Sequence, residues 1–106
     1  MNIKEFEAKH PDFAGLADDF SDPPPSHTTD EALARSVRRD WDDGERIRAI
    51  GCLLKEARSI RANLDEEWGA LGEFLSRPFA RREDAARWLD GVVPVWEMEL
   101  ARLERG

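Results

Sequence analysis

Apolar residues return at helical spacing along most of the chain. Phe13, Leu16, Ala17 and Phe20 recur at i, i+3, i+4 and i+7, which is one face of a helix. Ile3 and Phe6 precede them, and Pro11 either separates two short helices or opens the second. The stretch Ser21 to Thr29 interrupts the pattern with Pro23, Pro24 and Pro25, which lack amide hydrogens and favour an extended path. Thr28 with Glu31 three residues on predicts a capping box, and Leu33, Val37 and Trp41 then keep one helical phase. Asp42-Asp43-Gly44 breaks that phase, and Asp42 or Asp43 can cap a third helix. There Ile47, Ile50, Leu54 and Ala57 form the stripe, with Leu53 beside it and Arg46, Arg48, Lys55, Arg58 and Arg61 on the other face. Asn63 with Glu66 is a second capping pattern, followed by Leu64, Trp68, Leu71 and Leu75 with Phe74 adjacent. Ser76-Arg77-Pro78 ends this segment. From about Arg82 to Arg105, Ala85, Leu89, Val92, Trp96, Leu100 and Leu103 hold one phase, with Trp88 at its flank. Pro94 removes one amide bond and crowds the Asp90 carbonyl, which predicts a kink or break near Gly91 to Pro94. No segment alternates as a strand does. The pattern predicts an all-α, single-domain bundle of about five helices over residues 1–106, with the last helix kinked near Pro94.

Charge adds a second layer. The chain carries 23 Asp and Glu against 16 Lys and Arg, a formal charge of −7 on 106 residues. Residues 1–31 hold eight acids and two bases, and residues 63–75 hold four acids and no base. Residues 32–62 are net basic, yet contain the tight acidic run Asp40, Asp42 and Asp43. Such a balance argues against non-specific nucleic-acid binding, which needs clustered cations to displace counterions. No apolar run is long enough for a membrane helix, and the start of the chain lacks the pattern of a secretory signal. The single cysteine, Cys52, excludes an intrachain disulfide and fits a reducing cytoplasm.

No catalytic or metal set stands out. Cys52 lies between Ile50 and Leu53 and is expected to be a half-buried structural thiol. His10 and His27 each stand beside or near proline in loop-like stretches, with no partner visible in the sequence. The run Asp40-Trp41-Asp42-Asp43-Gly44-Glu45 fails the calcium-loop spacing, because Gly44 stands at position 5 and Gly51 at position 12. Adjacent acids such as Asp18-Asp19, Asp42-Asp43 and Glu66-Glu67 point about 100° apart on a helix and do not form a dyad by themselves. Trp68, Trp88 and Trp96 belong to apolar stripes. Trp41 closes its stripe between two aspartates, as either a hydrophobic helix cap or a binding anchor.

The order of these features resembles a known family. Phe13-Ala14-Gly15-Leu16-Ala17-Asp18-Asp19-Phe20, a polar loop, Thr28-Thr29-Asp30-Glu31-Ala32-Leu33, Leu53-Leu54-Lys55-Glu56-Ala57 and Ala86-Arg87-Trp88-Leu89 follow one another. The series is similar to small immunity proteins of bacterial contact-dependent growth inhibition systems. Members carry a glycine-aromatic-aspartate-aromatic stretch early and a Trp-Leu pair near the end. This chain departs from them at Leu16, where members often have an aromatic residue, and in its triple-proline loop.

The resemblance implies a non-enzymatic protein, needing no cofactor, that binds and blocks the C-terminal toxin domain of a cognate effector one to one. Many such toxins are nucleases with basic clefts, and an RNase is the first expectation. The expected contacts are Asp18, Asp19, Asp22, Asp40, Trp41, Asp42, Asp43, Asp65, Glu66, Glu67 and Glu73. The expected partner is thus a basic protein, with no direct nucleic-acid or membrane contact. The rival expectation is a helical adaptor or oligomerisation module, in which the basic face of the third helix pairs with the acidic helix of another copy.

Overall fold

The first helix begins where Asn2 accepts the Glu5 amide at 2.8 Å. In the computed structural model, which describes residues 1–17, 20 and 29–106, six helices follow one another. They are α1 (Ile3–Lys9), α2 (Pro11–Leu16), α3 (Asp30–Arg35), α4 (Asp43–Ala62), α5 (Leu64–Phe74) and α6 (Arg82–Arg105). No strand occurs among the described residues, and the chain is all-α and single-domain. Pro11 both ends α1 and opens α2. His10 gives α2 no side-chain cap; Glu56 of α4 does so instead, accepting the Phe13 amide at 2.9 Å and the Asp12 amide at 3.2 Å.

The long helices α4 and α6 pack together, and α2 lies on α4, α3 and α5 on α6, and α1 on α5. The radius of gyration, 13.3 Å, matches the roughly 13 Å expected of a folded chain this long. An aromatic chain runs through the centre. Phe6 meets Phe13 edge-on at 6.0 Å, Phe13 meets Trp96 at 6.4 Å, Trp96 meets Phe20 at 6.2 Å and Phe20 meets Trp88 at 5.4 Å. The stripe in α6 keeps its phase: Ala85, Leu89, Val92, Trp96 and Leu103 are buried and Leu100 is half-buried. Trp68 and Trp88 pack half-buried against the same core.

Several boundaries differ from the sequence expectation, each for a local reason. Thr28 lies outside the described residues; Thr29 caps α3, accepting the Ala32 amide at 3.1 Å. Helix α3 stops at Arg35, well short of Trp41. The Ser36 hydroxyl donates to the Ala32 and Leu33 carbonyls, competing with the next helical turn, and Arg38 adopts a left-handed φ of 49°. Asn63 makes no side-chain cap for α5; its amide instead donates to the Ser59 carbonyl and closes α4. Helix α6 runs unbroken through Pro94. Pro94 and Asp90 are both exposed, so the carbonyl that loses its partner lies on the outer side of the helix. The triple-proline segment and His27 lie outside the described residues.

Buried charge fastens the helices. Arg46, expected on the basic outer face of α4, is only 5% exposed. Its guanidinium donates to the Val37 and Arg35 carbonyls, each at 3.2 Å, and to Glu99 at 3.0 Å, stapling the exit of α3 to α6. Arg102 donates to both oxygens of the same carboxylate. The Arg102 hydrogen bonds, aided by Arg46, hold the Glu99 carboxyl below the usual carboxylate range against the opposing effect of burial. This stabilisation is complete above the ordinary carboxyl value of 4.5 and is lost as pH falls through the lowered value. Glu99→Gln should therefore cost about 2 kcal/mol at neutral pH. The gap from the parent should shrink in acid below the ordinary range. Urea unfolding at neutral pH and in acid checks this; a gap unchanged between the two conditions contradicts it.

Candidate functional site

The connection between α3 and α4 is built to present one aromatic ring. After Ser36, two tight turns place the Arg39 amide on the Ser36 carbonyl at 3.1 Å and the Trp41 amide on the Arg38 carbonyl at 3.0 Å. Trp41 is left 44% exposed, the largest side chain so presented among the described residues. It does not close α3, which has already finished, but stands one residue before Asp42, the N-cap of α4. Arg38 donates to the Gly15 carbonyl of α2 and sets its guanidinium 5.7 Å from the Trp41 ring centroid. The ring thus stands at one end of an open groove of about 630 Å³ between α2 and α4, with Asp12 and Leu16 on one wall and Glu45, Arg48 and Cys52 on the other. Cys52 is exposed, not half-buried, because it turns away from the core-facing Ile50 and Leu53.

The carboxylates beside Trp41 have different tasks. Asp42 caps α4, its Oδ1 accepting the Glu45 amide at 2.8 Å. Asp43 and Glu45 occupy the first turn, where acids suit the helix dipole. Asp40, Asp42, Asp43 and Glu45 are all exposed. The structure therefore gathers Asp40, Trp41, Asp42 and Asp43 on one rim and adds Asp12 and Glu45, which sequence reading did not select. Glu45 could have been found from its place three residues after the cap.

The other expected contacts divide. Asp18, Asp19 and Asp22 lie outside the described residues. Asp65, Glu66 and Glu73 are exposed on α5, and Asp65 pairs with Arg82. Helix α4 spans 20 residues, about 30 Å, so Asp65 and Glu66 beyond its far end are well removed from the rim at its start. Glu67 is a correction. It is fully buried, 2.5 Å from His10 Nε2 and 2.8 Å from Lys9 Nζ, and fastens α5 to α1. A carboxylate so enclosed cannot meet a partner. His10 is likewise 2% exposed rather than loop-like.

Basic residues expected to pair between copies also have partners within the chain. Arg58 donates to Glu97 at 2.9 Å and Arg61 to Asp90 at 3.2 Å, both across to α6. Among the described residues, no three His, Cys, Asp or Glu side chains converge as metal ligands do, and no helix is long and apolar enough to cross a membrane. Compared with protein-family models, with curated proteins and with solved structures, the chain finds no match.

Proposed function

We propose that this protein is a non-enzymatic inhibitor, an immunity protein of the contact-dependent growth inhibition type. It acts in the cytoplasm, binding one basic toxin domain, an RNase or other nuclease, and covering its phosphate-binding cleft. The observation that carries the reading is Trp41, exposed between Asp40 and Asp42 on an acidic rim above a groove. A tryptophan at the centre of a docking face supplies a large contact area at little entropic cost, and such residues dominate binding energy. Carboxylates around it exclude wrong partners and steer a cationic one, raising association rates at low salt.

The reading has a direct test with the toxin domain encoded beside this chain. Trp41→Ala should weaken binding by about 2 kcal/mol or more, roughly 30-fold, while leaving the melting temperature within a few degrees. Asp43→Lys combined with Glu45→Lys should slow association and flatten its salt dependence. Surface plasmon resonance at two salt concentrations reads both. Parent-like affinity for Trp41→Ala would remove Trp41 from the interface.

A further inference from the structure

A second surface carries the opposite charge. Where α3 exits against α6, a pocket of about 410 Å³ is lined by Arg35, Arg39, Arg46 and Arg102, with Glu99 at its back. Four guanidinium groups around one carboxylate are out of keeping with a chain of net charge −7. Two of them are already fixed. Arg46 is buried and fully engaged with the Val37 and Arg35 carbonyls and Glu99. Arg102 is held in place by Glu99 while its side chain stays 60% exposed. The other two, Arg35 and Arg39, are exposed, and among the described residues neither guanidinium makes a hydrogen bond or ion pair. Ser36 spends its hydroxyl hydrogen on backbone carbonyls, and Ala32 adds no polar side chain, so the free donors on this lining are guanidinium groups alone.

We propose that this pocket binds a compact polyphosphate group, of the kind carried by inorganic pyrophosphate or by a nucleoside diphosphate. Arginine offers paired donors whose planar fork matches phosphate oxygens, and Arg35 and Arg39 line this pocket with both forks open, while Arg46 and Arg102, held by Glu99, add fixed positive charge. The Glu99 hydrogen bonds, with a smaller contribution from Asp43, raise the Arg102 guanidinium and keep it charged. No aromatic side chain lines the pocket, so nothing there stacks on a base. The ligand is read by its phosphates.

Titration calorimetry of the full chain with inorganic pyrophosphate, without divalent metal, tests this. The expected result is saturable binding of one pyrophosphate per chain. Arg35→Ala and Arg39→Ala should each weaken it about tenfold, the loss of one charge-assisted contact, with an unchanged melting temperature. Arg58→Ala, whose partner is Glu97, should leave it unaltered. ADP and UDP should bind within about threefold of pyrophosphate and of each other, because stacking adds nothing here. A short single-stranded RNA, carrying one charge per phosphate, should bind more weakly than pyrophosphate. Absence of binding, binding indifferent to both arginine substitutions, a clear preference for one base, or tighter binding of the RNA would each overturn the proposal. The pocket lining shares no residue with the Trp41 rim, and the pyrophosphate test rests on Arg35 and Arg39 while the rim test rests on Trp41, so either reading can fail without the other.

Discussion

Glu67→Ala is expected to destabilise the protein by about 3–5 kcal/mol, the usual cost of leaving a buried polar partner without its counterpart. The carboxylate is wholly enclosed, and His10, which faces it at 2.5 Å, is itself only 2% exposed. Lys9 is less affected, because its side chain is 42% exposed and can turn outward. The contact joins residues 57 apart in sequence, so its loss loosens α1 from α5 as well as lowering global stability. For a domain near this size each kcal/mol moves the melting temperature by about 4–8 °C, so a fall of more than about 10 °C is expected. Replacing both partners, as His10→Leu with Glu67→Leu, should recover much of the loss, since an apolar pair leaves no polar group unsatisfied. Urea denaturation of the three variants decides this. A loss below about 1 kcal/mol for Glu67→Ala would mean that the contact is not part of the folded core.

Trp96→Ala should cost a similar amount, about 3–5 kcal/mol, through the cavity it opens between α2 and α6. The ring is fully buried and lies edge-on to Phe13 and Phe20, so its removal breaks the aromatic chain in the middle. Trp96→Phe should be far milder. The indole Nε1 is buried without a hydrogen-bond partner among the described residues, and phenylalanine keeps most of the apolar contact while removing that unsatisfied donor. Thermal melts of both variants give the comparison. If Trp96→Phe proves as costly as Trp96→Ala, ring volume and not the orphaned N–H governs the site.

The long helices were legible in the sequence because their apolar residues repeat over many turns. The phase of Ala85, Leu89, Val92, Trp96 and Leu103 survives Pro94, since the proline faces outward. Short elements were less legible. Leu33, Val37 and Trp41 share helical spacing, yet one hydroxyl and one left-handed residue end α3 before the last two. Three buried charges were visible in principle; Arg46 and Glu67 were read as surface, and Glu99 drew no reading. Glu67 stands three residues after Leu64 and four before Leu71; Glu99 stands three after Trp96 and four before Leu103; Arg46 stands four before Ile50. Each interrupts an apolar stripe with a charge, and such a charge is either paired inside or the stripe is not a core. The partners come from other helices, at distances along the chain that no local pattern encodes. The acid near Trp41 was legible from its clustering. Its separation into capping Asp42 and exposed Asp40, Asp43 and Glu45 needed the turn geometry.

The central claim is that the acidic rim around Trp41 serves to neutralise a basic toxin. The most direct measurement is the nuclease activity of the toxin domain that the proposal assigns to it as partner, titrated with this protein at low and at high salt. The account predicts full inhibition at one inhibitor per toxin at low salt, with weaker inhibition as salt screens the rim. Toxin activity left untouched at equimolar inhibitor would contradict it.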